Sequence, residues 1–203
     1  GILLFKLDET EECVENFQKA VKINQKNSRA YSNYLFSLNY LIKYKDSYYI
    51  EEAKKFRLSL KKISDQLCIP YKYNINPKKL IVGFISADLK NHPVGFYLID
   101  TLKYLKNKNI KLIAYHNSTK TDDLTQKLKG HFDIWYNISN ENDLSVINLI
   151  RKNGVHILID MSGHTKGNRL PIFINKPAPI QATWAGHLAS TGIPEIDYII
   201  GDQ

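Results

Sequence analysis

The sequence predicts an α/β protein: a Rossmann-like parallel sheet preceded by an all-helical segment. Three observations carry this. From Leu80 onward, short runs rich in Ile, Leu and Val alternate with amphipathic stretches of helical length. Strands of that near-continuous apolar kind are covered on both faces, which calls for a parallel sheet with helices on each side. Residues 1–67 show only the helical period. Between the two parts, residues 68–79 carry Pro70 and Pro77 among mostly polar neighbours and read as a linker. The expected organisation is a helical segment over 1–67, a linker over 68–79 and an incomplete sheet-forming unit over 80–203.

In the helical part, Ile2, Leu3, Leu4 and Leu7 share a first helix, and Asp8-Glu9-Thr10 breaks it and caps the next. Cys13, Phe17, Ala20 and Val21 then fall on one helical face. Asn24 to Asn27 form a turn. A third helix is expected from about Ser28 to Lys43, with Tyr31, Tyr34, Leu35, Leu38 and Leu41 apolar. A fourth is expected from about Tyr48 to Leu67, with Ala53, Phe56, Leu60 and Ile63. This part resembles a tetratricopeptide repeat, whose Gly, small residue, Phe and Ala fall at Gly1, Cys13, Phe17 and Ala20. Cys13 stands for the usual Ala and Gln25 for the usual Pro. The competing reading is a generic helical hairpin.

In the second part, Leu80–Ser86 is the first strand and Val94–Lys106 the first helix. Ile110–Tyr115 is the second strand, followed by a short helix over Asp122–Lys129 capped by Thr121. Ile134–Ile138 is a strand, Glu141–Lys152 a helix, and Val155–Asp160 the fourth strand. Ile180–Trp184 and Asp197–Ile200 are the fifth and sixth strands. The first strand-turn-helix lacks G-x-G-x-x-G, so the dinucleotide fingerprint is absent.

Composition narrows the classes. The chain has 203 residues, 43% of them apolar, enough for a sizeable core. It holds no run of about 18 apolar residues, so no membrane span is expected, and no signal-peptide pattern precedes it. Cys13 and Cys68 form no C-x-x-C pair, which fits a reducing, cytoplasmic setting. The formal charge is +8. Its lysines are spread along the chain without an arginine-rich run, so the charge points to a basic cleft for a phosphorylated small molecule rather than to nucleic acid. The chain begins at Gly1 and stops at Gln203, and is read as a piece of something longer.

Four polar loops directly follow strands: Ser86–Pro93, His116–Ser118, Met161–Arg169 and Ala185–Gly192. Each holds a histidine, and in a parallel sheet all four lie on one edge, where α/β proteins bind ligands. His92 precedes Pro93 and is therefore biased to extended geometry. Its ring can project as a general base, or it can cap a helix that Pro93 opens. Asp88 can orient that ring, bind a substrate hydroxyl, or cap the turn. Gly163 and Gly167 bracket His164, Thr165 and Lys166, and with Arg169 this loop reads either as an anion cradle or as a flexible crossover. His156 is expected to be buried and hydrogen-bonded, His131 to sit at the surface or in packing, and Trp184 to belong to the core. No histidine pair has metal-helix spacing, so no metal site is expected.

Residues 80–203 resemble the amino half of the catalytic region of the O-linked N-acetylglucosamine transferases, glycosyltransferase family 41, which includes the SPINDLY-like proteins. The matching segments, in the family's order, are Ile81–Asp88 with Asn91-His92-Pro93, Gly154–Asp160, Gly163–Arg169, Pro177–Gln181, and Thr191-Gly192 through Asp197 to Asp202. A tetratricopeptide array before this region is also the family's layout. The resemblance implies a GT-B fold of two Rossmann-like domains. It implies inverting transfer from a UDP-sugar, N-acetylglucosamine by the family's name, to Ser or Thr hydroxyls of a protein or peptide, without metal or other cofactor. His92 and Asp88 fall on the family's His and Asp near the acceptor hydroxyl. Asn91 and Pro93 shape that loop, and Thr165, Lys166, Arg169 and the Ala185-Gly186 turn line the cleft, with His164 and His187 placed beside them. His187-Leu188-Ala189 stands where many members have Tyr-Pro-Gly or Tyr-Pro-Ala, which bears on sugar or acceptor choice; UDP-glucose or GDP-fucose donors belong to the same class. The second Rossmann-like domain is not in this sequence, so these residues alone are expected to be an inactive half-site. The alternative function is a repeat-type protein-binding module on a non-catalytic α/β platform.

Overall fold

The computed structural model describes residues 1–71, 74, 76–105 and 108–201. Lys106 of the expected first helix, residues 72, 73 and 75 of the expected linker, and Asp202 of the family match lie outside the described residues.

Four helices come first: α1 (Ile2–Lys6), α2 (Thr10–Ile23), α3 (Ser28–Leu38) and α4 (Asp46–Ser59). Asp8, in the left-handed region at φ 63°, makes the break between α1 and α2. The Asn27 side chain accepts from Ala30 N at 3.0 Å and starts α3. That helix ends at Leu38 instead of Lys43. Asn39 turns its amide back onto the Leu35 carbonyl at 3.1 Å, satisfying a group that another helical turn would have used. The fourth helix likewise stops at Ser59, whose hydroxyl donates to the Phe56 carbonyl at 2.7 Å, and Leu60 is already extended. Only a 3-10 turn, Asp65–Leu67, forms in the rest of the expected fourth helix.

The sheet has six strands, β1 (Leu80–Ser86), β2 (Ile110–His116), β3 (Ile134–Asn137), β4 (Ile157–Asp160), β5 (Ile180–Trp184) and β6 (Tyr198–Ile200), in the order β3-β2-β1-β4-β5-β6. Every pairing is parallel, with Phe84 opposite Ala114 on one side and Ile159 on the other. Between them run α5 (Pro93–Leu105), α6 (Asp123–Lys129), α7 (Asp143–Lys152) and a single turn, α8 (Leu170–Phe173), that the sequence did not announce. Two starts shift. Asp122, not Thr121, caps α6, in a reciprocal box with Thr125. Asn142 caps α7 by accepting from Ser145 N at 2.8 Å, so Glu141 stays outside. β4 begins at Ile157 because the His156 ring takes a ladder position, its Nδ1 accepting from Ile81 N at 3.1 Å.

One sheet face packs Val82, Phe84, Leu112 and Ala114 against Leu98 and Leu102 of α5 and Leu128 of α6. The other packs Ile85, Ile113, Tyr115 and Leu158 against Ile147 and Ile150 of α7 and Phe173 of α8. The same apolar cluster continues through Leu170 and Ile193 into Tyr31, Leu35 and Phe56 of the amino-terminal helices. The helices are thus packed onto the α/β half. They lie across the loops at its carboxyl edge, through α3 and α4 contacts with His164, His187 and Glu195. No helix among the described residues is long and apolar enough to cross a membrane.

Candidate active site

Strand order reverses between β1 and β4, so the crevice at the carboxyl ends lies between the loops that follow them. These loops abut. Gly167 sits at φ 81°, and a Cβ there would come within 2.7 Å of the Ala87 Cβ. Asn117, after β2, ties both: its N–H donates to the Ser86 carbonyl at 2.7 Å and its amide to the Gly167 carbonyl at 2.8 Å.

Asp88 and His92 stand on the β1 loop. Asp88 is 9% exposed, takes its turn from Ser86, whose hydroxyl accepts from Asp88 N, and pairs with Lys90 at 3.1 Å. Lys90 also donates to the Ala87 carbonyl at 2.6 Å. His92 is half-buried, directly before α5, and its Nδ1 accepts from Val94 N at 3.3 Å. The ring therefore caps the helix that Pro93 opens, and in its neutral form it carries its proton on Nε2. Among the described residues no hydrogen bond joins Asp88 to His92, so the expected orienting contact between them is absent. Asn91 is fixed through its backbone, donating to Asp122 at 2.7 Å, and this bond with the cap contacts of α6 holds the Asp122 carboxyl below the usual range. Both Asn91 and Pro93 are exposed at the loop surface.

On the β4 loop, His164, Thr165, Lys166 and Arg169 all line a cavity, but they are not equally free. Arg169 is committed inside the protein: Nε donates to Asp143 at 3.0 Å, Nη1 to Asn117 at 3.2 Å, and Nη2 to the Glu141 carbonyl at 3.0 Å. It links the loops after β2, β3 and β4 rather than offering charge to a ligand. Thr165 closes the turn by donating to the Ser162 carbonyl at 2.7 Å. Lys166 alone of the group is exposed, with no ion-pair partner among the described residues. Asp160, at the end of β4, shapes the loop by accepting from Gly163 N, Ser162 N and the Thr183 hydroxyl. Burial pushes its carboxyl up, against those three donors.

His164 is on the lining of a cavity yet almost fully buried, and His187 is packed between layers. His164 is 1% exposed, with Nδ1 3.1 Å from the Ser32 hydroxyl of α3 and Nε2 3.1 Å from the Thr191 carbonyl. A carbonyl only accepts, so Nε2 bears the proton and Ser32 donates to Nδ1. Burial, then the neighbouring His187, lowers His164 to about 3. His187 is 9% exposed, with Nε2 3.0 Å from the Tyr49 hydroxyl of α4, which itself donates to the Ser190 carbonyl at 2.8 Å. Burial lowers it to about 4. The two rings meet edge to face at 5.3 Å, and Phe56 closes on His164 at 4.9 Å. His116 is also fully buried, with Nε2 3.2 Å from the Lys120 carbonyl, and burial lowers it. Ala185 (φ 66°) and Gly186 form the turn that leads His187 inward and are half-buried.

Sequence reasoning missed what holds this seam. Tyr49, Ala53 and Arg57 lie at i, i+4 and i+8 on α4 and grip the loop after β5. Arg57 forks onto Glu195, with Nε 2.9 Å and 3.0 Å from its two oxygens. Gly192, at φ 69°, lets the loop pass so close to the Ala53 carbonyl that a side chain would collide with it.

A cavity of about 810 Å³ opens where α1, α2 and α3 face the β4 loop. Phe5, Phe17 and Phe36 give it an apolar wall, Asn33 and Asn117 supply amides, and Lys6, Arg29 and Lys166 stand around it.

A parallel sheet in this order, with its polar loops gathered at the reversal and a helical layer over them, defines a Rossmann-like α/β unit working at its carboxyl edge. Residues 24–203 match the model of glycosyl transferase family 41, and the chain belongs to that family. A probable UDP-N-acetylglucosamine–peptide N-acetylglucosaminyltransferase, SPINDLY, of Oryza sativa subsp. japonica is 28% identical over 194 residues, covering 94% of this chain and 21% of the relative. The corresponding probable enzyme SEC of Arabidopsis thaliana is 28% identical over 136 residues, covering 66% of this chain and 14% of the relative. The solved structure of a mutant O-GlcNAc transferase from Thermobaculum terrenum superposes with a TM-score of 0.85 at 27% identity, over 96% of this chain and 37% of that one. The chain spans about a fifth or less of the length of these curated relatives.

Proposed function

We propose that this chain forms part of a protein O-glycosyltransferase that moves a sugar, N-acetylglucosamine in keeping with the names of its relatives, from a UDP-sugar to Ser or Thr hydroxyls of a peptide. The reading includes inversion at the anomeric carbon, no metal or other cofactor, and a cytoplasmic setting. The observation that carries it is the placement of Asp88 and His92 on the β1 loop at the strand-order reversal in a family 41 chain. An inverting transfer needs a group to receive the acceptor proton as the new bond forms, an effect of about 10²–10⁴ in rate. Asp88 offers one carboxylate oxygen beyond the one paired with Lys90. His92, with Nδ1 committed to the helix cap, presents Nε2–H, which holds the acceptor hydroxyl by donating to it while the proton leaves toward the carboxylate. Asn91 and Pro93 fix that loop. Of the β4 loop, Lys166 is the free cation that would meet a charged substrate.

The test is the full-length enzyme with a UDP-sugar and an acceptor peptide, with and without a chelator, the product read by mass spectrometry. Sugar on the peptide in both arms, with the anomer inverted, is the expected result. Retention of configuration, or loss of transfer with the chelator, would overturn the mechanism, and absence of any transfer the function.

A further inference from the structure

We propose that the cavity between the amino-terminal helices and the β4 loop selects acceptor segments carrying Asp or Glu. This rests on the peptide-transfer reading above and adds a substrate class to it. The cavity measures about 810 Å³ and its charge is unbalanced. Lys6 on α1, Arg29 on α3 and Lys166 on the β4 loop are exposed cations on its lining, and none has a hydrogen-bond or ion-pair partner among the described residues. Asp143 is the one carboxylate on that lining among the described residues, and Arg169 already holds it at 2.9 Å. The cavity therefore presents three uncompensated positive charges and no free negative one.

Arg29 sharpens the point. It sits in the first turn of α3, which has no acidic residue there. A cation at a helix amino terminus opposes the helix dipole, and an anion brought beside it relieves that opposition. The rest of the wall suits a polypeptide rather than a bare anion. Phe5, Phe17 and Phe36 accept apolar side chains, and Asn33 brings an amide to the wall. The three cations come from three separate elements, as suits charges distributed along a chain.

The experiment compares one acceptor peptide in Asp-flanked, Asn-flanked and Lys-flanked versions on the full-length enzyme. Each acidic residue is expected to raise kcat/KM about two- to fivefold, the yield of a partly exposed ion pair, mostly through acceptor KM and less so at high salt. Arg29→Gln should shrink the preference, and Arg29→Glu should turn it toward the Lys-flanked peptide. Equal kcat/KM for all three peptides overturns the inference while leaving the transferase reading intact. A change in donor KM on Arg29→Glu overturns it too, since the cation would then serve the sugar nucleotide. If no peptide is glycosylated, the transferase reading itself fails and takes this inference with it.

Discussion

The loop after β1 and the loop after β5 leave the same sheet edge, and each carries a histidine, yet the two rings live in opposite surroundings. His92 is half-buried and keeps one ring nitrogen without a hydrogen-bond partner among the described residues. His187 is 9% exposed, bonded to Tyr49 and set edge to face against His164. What separates them is the helical layer. Helices α3 and α4 lie over the β4 and β5 loops and turn their polar residues into interlayer packing, whereas the β1 loop is tied to the start of α6 and leaves Asn91 and Pro93 exposed.

The largest effect expected from this contrast is on rate. His92→Ala and Asp88→Asn in the full-length enzyme should each lower kcat/KM about 10²–10⁴-fold. Stability should fall by no more than about 1 kcal/mol for His92→Ala, the loss of a helix cap. Steady-state kinetics and the thermal midpoint together decide it. A variant that keeps its rate, or one that loses rate only in proportion to its folded fraction, would place His92 with His187 as a structural residue.

On the covered side the effect should be on stability instead. Phe56 is fully buried, packs on Tyr31 at 5.6 Å and closes over His164. Phe56→Ala should cost about 3–5 kcal/mol, read as a lowered thermal midpoint. The acceptor and donor KM of the remaining folded enzyme should not change. A change in either KM would mean that the seam reaches substrate.

The two regions also differ in how well the sequence announced them. The apolar run Leu80–Ile85 read correctly because burial on two faces is local, and α5 was expected from Val94, one residue after the Pro93 at which it begins. The six parallel strands followed from the same rule. The β5 loop was illegible because its partners are remote. Arg57 and Glu195 are 138 positions apart, and nothing local marks the Tyr49, Ala53 and Arg57 face of α4 as a grip. Arg169 misled for a related reason. A guanidinium near two glycines reads as an anion site until Asp143 and Asn117 arrive from other loops to occupy it. Asp122 displaced Thr121 as the α6 cap because its second oxygen also satisfies Asn91 N, a tertiary contact.

Acid should act on the covered loop before the open one. Burial holds His187 at about 4 and His164 at about 3, whereas an unfolded histidine titrates near about 6.5. Below that value the unfolded chain binds protons that these folded rings refuse. Their contribution to stability is therefore complete above about pH 6.5 and falls as the pH drops toward 4 and then 3. His187→Leu removes one such ring. The thermal midpoint of this variant should lie below wild type at neutral pH, because Tyr49 loses a donor, but should fall less between about pH 7.5 and about pH 5. Equal slopes would mean that His187 is already charged, or wet, in the folded protein.

The smallest effect concerns the rim of the seam. Arg57 and Glu195 form a forked pair whose side chains are 26% and 22% exposed. Such a pair has water at its edge, so its strength is set by geometry more than by burial. A double-mutant cycle of Arg57→Met and Glu195→Gln should give a coupling of about 1 kcal/mol that weakens as salt is added. The value separates two ways of holding the β5 loop down. A coupling of that size means that α4 pulls the loop in electrostatically as well as by fit. A coupling near zero leaves the close pass of Gly192 over Ala53 and the Tyr49–His187 bond as the whole of the grip. In that case Gly192→Ala, which cannot keep φ 69° or clear the Ala53 carbonyl, should release the loop and expose His187 to solvent acid.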